Sequence, residues 1–391
     1  MSTNFDAEIP LRNIHSAKWD MHGPATGATG DDVIPMWVAD MDFRAPQSVL
    51  DVMQAEIDRG VMGYYGNDVS LRQAIMNWYD QRHGWSLKPE WLYFSHGVVA
   101  GLGLVLEAFT KPGDGVVLFT PVYHAFAKVV RAKGRQVVES LLENRDGVYH
   151  MDLDALAGQL TGNEKMVIFC SPHNPGGRLW TGEEIRALCA FCAARDLILV
   201  SDEIHMDLLH PGATHHVTAV TCPDIAPNLI TLSAASKTFN IAGGETSFII
   251  AADPGIREKF AKAHAAYSGS NNRFGMLMME AALNGGGAWL EEANAYIAEN
   301  FALFRDRVNA IPGLRVMDMQ STYLAWVDFA GTGMPRQEFT DRVQQTAKIA
   351  INQGPSFGSG GESFLRFNIA TRRALVVEAV TRLEAAFADL Q

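Results

Sequence analysis

Short apolar runs alternate along the chain with stretches whose apolar residues recur at helical spacing. Gly115–Thr120 (GVVLFT), Met166–Cys170 (MVIFC), Leu197–Val200 (LILV) and Leu229–Leu232 (LITL) have the length and composition of buried strands. Trp91–Phe94 reads as a further strand that runs through Ser-His-Gly into an apolar helix, VVAGLGLVLEAF. The segments APQSVLDVMQAEIDRG, LRQAIMNWYDQRHG and EEIRALCAFCAAR carry helical periodicity. Strand and helix in alternation predict an α/β architecture. Farther on, Leu290, Ile297, Phe301, Phe304 and Val308 mark one long amphipathic helix able to bridge two units. After it, strand-like TYLAWVDF, helix-like RQEFTDRVQQTAKI, a glycine-rich loop GPSFGSGGE, the strand FLRFNIA and a closing helix form a separate α+β unit. The division expected is an N-terminal segment 1–44 packing on the small unit, a large domain 45–286 and a small C-terminal domain 287–391.

Composition narrows the class. The 391 residues hold 32 Lys and Arg against 44 Asp and Glu, a net charge of −12, which argues against a nucleic-acid or anionic-membrane partner. No run reaches the ~18 apolar residues a membrane span needs, and the opening MSTNFDAEIPLRN lacks a basic, apolar leader, so a cytoplasmic location is expected. Four cysteines do not make a disulfide framework, and the CxxC of Cys189 and Cys192 reads as helix-face packing. His205, His210, His215 and His216 match no zinc spacing, and 210–216 is expected to be a solvated loop, so no metal site is assigned.

The chemistry centres on SAASKTFNIAGG, where Lys237 follows an apolar strand and sits among small hydroxyl residues. A lysine there is either a solvated surface cation or a desolvated amine suited to Schiff-base formation, and its neighbours favour the amine. Ser233, Ser236 and Asn240 offer donors, and Gly243-Gly244 admits close backbone approach. A phosphate site beside a reactive lysine suggests pyridoxal phosphate. Other strand ends supply what such a cofactor requires. The N–H groups of Gly97, Val98 and Val99 open a helix toward a phosphate. Tyr123, after Pro121 at a strand end, packs in the core or stacks on a flat ring. Asn174, held between Pro172 and Pro175, is a stiffly placed donor. Asp202 ends a buried run and needs a cation, which a protonated pyridine nitrogen provides. Tyr64 and Tyr65, among glycines 60, 63 and 66, either pack on the next helix or reach a ligand or partner subunit. Asp40 and Asp42 in IPMWVADMDF do not read as an acid–base pair, and Asp40 is expected to cap the turn into the following helix.

Asn174, Asp202 and Lys237 follow one another at 28 and 35 residues. With that set the chain resembles the fold type I pyridoxal-phosphate enzymes of the aspartate-aminotransferase superfamily. Through VADMDF, GYYG, GVV, PVYHAF, SPHNPGGR, SDEIHMDL, SKTFNIAG and RFNIA it is most similar to the cystathionine β-lyase, or C–S β-lyase, subgroup. The resemblance spans nearly the whole chain and implies a mainly parallel seven-stranded sheet flanked by helices. It also implies a smaller α+β domain and a homodimer. By that resemblance Lys237 forms the imine with the cofactor, Asp202 pairs with the pyridine nitrogen, and Asn174 and His205 contact the ring hydroxyl. Tyr123 stacks on the ring, and Gly97, Val98, Val99 and Ser236 hold the phosphate with Tyr64 of the other subunit. Val38, Asn174 and Arg366 bind substrate, although an arginine on a strand is also compatible with an ordinary ion pair. One departure stands out: where many relatives carry a phosphate-binding arginine eight residues beyond the lysine, this chain has Glu245.

The implied reaction is β-elimination from cystathionine or a related cysteine conjugate, giving thiol, pyruvate and ammonia. Catalysis would rest on Lys237, Asp202 and Tyr123. An aminotransferase shares the same motifs, and a non-catalytic binding protein using the fold's surface is the third reading.

Overall fold

The computed structural model describes residues 3–267 and 271–390. The apolar runs lie side by side in one seven-stranded sheet. Its strands are β1 (Leu92–Ser95), β2 (Gly115–Thr120), β3 (Gln136–Leu141), β4 (Glu164–Cys170), β5 (Ile198–Asp202), β6 (Leu229–Ser233) and β7 (Ser247–Ile250). Their spatial order is β1-β7-β6-β5-β4-β2-β3. Only β7 runs antiparallel to its neighbours in this sheet. All six residues of β2 and all five of β6 are buried, because helices cover both faces and neither can take alternating polar residues. The strand expected at Trp91 starts one residue later, since Pro89–Trp91 form a 3-10 turn.

Helices α1 (Gln47–Arg59), α2 (Val69–His83), α3 (Val98–Phe109), α4 (His124–Ala132), α5 (Gly182–Ala193), α6 (Pro254–Tyr267) and α7 (Arg273–Gly285) flank the sheet. Local chemistry sets their ends. Thr181 and Glu184 close a reciprocal capping box at the start of α5, the hydroxyl accepting from Glu184 N and the carboxylate from Thr181 N. Glycines 60 and 84 end α1 and α2 in the left-handed conformation. Cys189 and Cys192 are both buried on the inner face of α5, as helix packing requires.

The long helix α8 (Gly287–Val308) has 22 residues and buries every apolar position expected of it. At one end Trp289 meets Phe239 beside the lysine loop, with ring centroids 6.3 Å apart. At the other, Phe304 packs on Phe367 at 5.4 Å. Phe367 belongs to a second, antiparallel sheet of β8 (Arg315–Val316), β9 (Leu324–Asp328), β10 (Asn352–Gln353) and β11 (Phe364–Asn368), in the order β8-β9-β11-β10. The closing helix α9 (Arg373–Ala386) packs beside α8. RQEFTDRVQQTAKI is not one regular helix: α-helical turns over Arg336–Asp341 widen to a π-turn at Arg342–Thr346. The glycine-rich loop is anchored to the core. Phe357 is buried, its carbonyl accepts from Val122 N at 2.8 Å, and a side chain on Gly354 would strike the Gly361 carbonyl. Ile34-Pro35 pairs in parallel with Ile349-Ala350, tying the N-terminal segment to the smaller unit.

Candidate active site

Strand register brings the expected residues together. Cys170 at the end of β4 lies opposite Asp202 at the end of β5, and Asp202 lies opposite Leu232 near the end of β6. The three loops that follow carry Asn174, His205 and Lys237 to one place beyond the strands' carboxyl ends, where open α/β sheets form their crevices. A cavity of about 290 Å³ opens there, walled by Gly97, Val98, Val99, Tyr123, Asn174, Asp202, His205, Ser236 and Lys237. A second cavity of about 610 Å³ adjoins it, sharing Ala39, Tyr123 and Lys237 and adding Val38 and Arg366. Of the residues given roles by the resemblance, all but Tyr64, which is 87% exposed, line one of the two cavities.

Lys237 Nζ donates to Ala39 O at 2.7 Å. Burial lowers its pKa, opposed by Asp40 and assisted by the Arg366 cation, which shifts its balance toward the free amine. Burial pushes the Asp202 carboxyl up to about 7, against the pull of the Ile204 N–H 3.1 Å away. Among the described residues no cation forms an ion pair with this carboxyl, although Lys237 acts on it; a protonated ring nitrogen would supply the pair. Burial, with Lys237 and Arg366 nearby, lowers His205 to about 3, leaving a neutral imidazole whose Nδ1 is buried without a partner. Arg366 is buried and fixed: Nη1 donates to Asn174 Oδ1 at 2.9 Å, and Nη2 to Trp37 O at 3.0 Å and Asn352 Oδ1 at 2.6 Å. Its Nε is buried and unpaired, and Phe357 lies under the guanidinium at 4.9 Å. Burial lowers its pKa to about 10, which keeps it charged at neutral pH. Burial raises the Tyr123 phenol, partly offset by Arg366, so this hydroxyl holds its proton.

These unfilled groups fit pyridoxal phosphate. Asp202 awaits a cation, His205 Nδ1 a polar partner, and the N-terminal turn of α3 presents free N–H groups to the cavity wall. Glu245 also lines this cavity, in a left-handed backbone with φ 42°, so the position that departs from the superfamily pattern does lie beside the phosphate cradle.

Four expectations are corrected. Asn240 points away from the cavity, its amide gripping Met41 N, Met41 O and Phe43 O at 2.8–2.9 Å. The Ser233 hydroxyl is buried against the Met206 sulfur. Asp40 does not cap α1, whose N-cap is Pro46 without a side-chain bond; its carboxylate instead faces Lys18 at 4.0 Å and acts on Lys237. His215 is buried rather than solvated, 3.1 Å from Glu203, where its bond and that of Ser201 outweigh burial and lower the Glu203 carboxyl. No grouping of His, Cys, Asp or Glu among the described residues could hold a metal.

Val38 lines the larger cavity, in the place expected of the 34–43 segment, but the backbone bonding of that segment was not read from the sequence. Residues 37–43 form a strap bound from both sides. The Val38 and Asp40 carbonyls accept from Asn368 at 2.6 and 2.5 Å, and Ala39 O takes Tyr323 as well as Lys237. Asn368, two residues past Arg366 on the same strand, was the available signal.

The family model for class I and II aminotransferases matches residues 31–383. The cystathionine β-lyase PatB of Bacillus subtilis is 37% identical over 386 residues, covering 98% of this chain and 99% of its own. Cystalysin from Treponema denticola, solved with pyridoxal 5′-phosphate, superposes with a TM-score of 0.95 at 34% identity and full coverage of both chains. A PLP-bound C–S lyase from Staphylococcus hominis superposes at 0.93 with 30% identity, covering 99% of this chain and 98% of its own. With a lysine amine, a cation-seeking aspartate and a helix-end cradle meeting at one sheet edge, the chain belongs to the class I and II aminotransferase family, in the fold type I pyridoxal-phosphate superfamily with the C–S lyases.

Proposed function

We propose that the protein cleaves the Cβ–S bond of L-cystathionine or a related cysteine S-conjugate, releasing thiol, pyruvate and ammonia. The observation that carries the reading is the meeting of Lys237 and Arg366 in one cleft, an amine biased toward its free form beside a fixed guanidinium whose Nε has no partner. The likeness to C–S lyases over the full chain supports it.

In this reading Gly97, Val98, Val99 and Ser236 hold the cofactor phosphate, Asp202 the pyridine nitrogen, and Asn174 and His205 the ring hydroxyl, with Tyr123 on the ring face. Pyridoxal phosphate, when bound, supplies an aldehyde for the substrate amine and a ring that draws electrons away from Cα. Arg366 takes the α-carboxylate through a charge-assisted pair, with Val38 and Asn174 at its side. Lys237, displaced by the substrate amine, removes the Cα proton. The departing thiolate needs a proton. Lys237, carrying the proton taken from Cα, and the Tyr123 phenol are the two candidate donors; burial makes Lys237 a stronger acid than a free lysine and Tyr123 a weaker one than a free phenol, which favours Lys237. Residues 45–286 act as the cofactor-binding domain, with 1–44 and 287–391 closing over it. A second copy of the chain contributes Tyr64 to the phosphate.

The test is release of thiol and pyruvate from L-cystathionine with no keto acid present. Sustained turnover is the expected outcome. Absence of thiol, with cofactor absorbance lost on adding an amino acid and restored by a keto acid, would replace the lyase with an aminotransferase.

A further inference from the structure

The larger cavity holds a second guanidinium. Arg336 opens the short helix Arg336–Asp341 on the smaller unit and lines the same space as Lys237 and Arg366. It is exposed and has no hydrogen-bond or ion-pair partner among the described residues. The helix's own carboxylates are turned elsewhere: Glu338 takes Arg342 at 3.0 Å, and Asp341 takes Gln337 at 2.9 Å.

An unpaired arginine on a surface is ordinary; its surroundings are not. This chain carries a net charge of −12, yet no carboxylate lines the cavity. The lining cations are Arg336 and Arg366, beside the Lys237 amine, with Asn352, Gln353 and Ser356 among the neutral polar groups of the wall. Two guanidiniums lining one cleft that no carboxylate lines give it a positive potential that favours an anion. One anion is already accounted for by Arg366. A planar fork at the mouth calls for another carboxylate on the same ligand.

We infer that Arg336 is a specificity-determining residue that binds an anionic group on the sulfur substituent, so the preferred substrates are cysteine S-conjugates with a distal carboxylate. A distal ammonium finds no counter-charge in this cavity and gains nothing from it. The substrate class rests on the lyase reading; the distal-anion site does not.

The experiment compares kcat/KM of the holoenzyme for S-(2-carboxyethyl)-L-cysteine and for S-propyl-L-cysteine, a neutral thioether of similar length. Beside it, binding of glutarate is compared with binding of butyrate by calorimetry. Native protein should favour each dicarboxylate by roughly two- to fivefold, the range for an exposed ion pair. Arg336→Met should bring both ratios near unity, and Arg336→Lys should retain part of them. Equal handling of the two thioethers and the two acids by native protein overturns the inference, whether or not the variants fold, and so does a preference that Arg336→Met leaves intact. If neither thioether releases thiol while glutarate still binds more tightly in an Arg336-dependent way, the lyase reading falls and the distal-anion site stands.

Discussion

At the scale of single residues, Asp202 and Lys237 have been moved in pKa by the same cause. Burial disfavours the charged form of each, raising the acid to about 7 and lowering the amine. For Asp202 this has a consequence for stability. Its folded-state pKa lies above the ordinary value of 3.8, so the folded protein keeps a proton that the unfolded chain has released. Stability from this group is therefore lost as pH rises from about 4 to about 7, by up to ~4 kcal/mol in cofactor-free protein. Denaturant unfolding of the cofactor-free form across that range should show the loss, and Asp202→Asn should remove most of it. A pH profile identical in the two proteins would mean that Asp202 does not titrate there. Lys237→Ala has a different signature. It should leave no cofactor attached after borohydride reduction and denaturation, and should lower elimination by at least ~1,000-fold. Attached chromophore in that variant would assign the imine to another lysine.

At the scale of elements, the sheet was legible and the strap's backbone bonding was not. Buried parallel strands announce themselves as unbroken apolar runs, and the order Asn174, Asp202, Lys237 already placed three loops at one sheet edge. IPMWVADMDF gives no such sign, because its role lies in its carbonyls, which accept from residues about 200 to 330 positions away. Side-chain identity says little about such bonds. Asn240 was misread for the same reason: an amide near a reactive lysine looks like a ligand donor, yet it serves the strap from a left-handed backbone at φ 55°. His215 was misread because a Pro/Gly loop can still bury a side chain that finds a carboxylate. Asn240→Ala should cost about 2–4 kcal/mol, combining three lost hydrogen bonds with left-handed strain. Asn240→Gly relieves the strain and keeps the bond loss, so it should fall between native and Ala in thermal midpoint. Both should raise KM, since the strap also carries the Trp37 carbonyl that orients Arg366. A KM unchanged in both would separate the strap from substrate binding.

At the scale of the whole molecule, Glu245 stands among the residues that would cradle the cofactor. No lysine or arginine other than Lys237 lines that cavity among the described residues, so a phosphate there meets N–H donors, a hydroxyl and a nearby carboxylate. Meanwhile the surface at 57–69 exposes Ile57, Val61, Met62, Tyr64 and Val69, more large apolar area than a free face usually carries in so short a stretch. A second copy seated on that surface would bury the apolar group and deliver Tyr64 to the partner's cradle, answering both anomalies with one contact. In a two-fold dimer the exchange is reciprocal, which gives the arrangement a test that a remote surface role for Tyr64 fails. Tyr64→Ala and Lys237→Ala should each be inactive or nearly so as homodimers. Co-refolded in equal amounts, they should regain up to about a quarter of native activity, because half the dimers are mixed and each mixed dimer holds one intact site and one doubly damaged site. Recovery to that level shows Tyr64 acting across the interface. No recovery, in mixtures shown by mass to contain the mixed dimer, would confine each site to one chain and leave the exposed tyrosine without a part in cofactor binding.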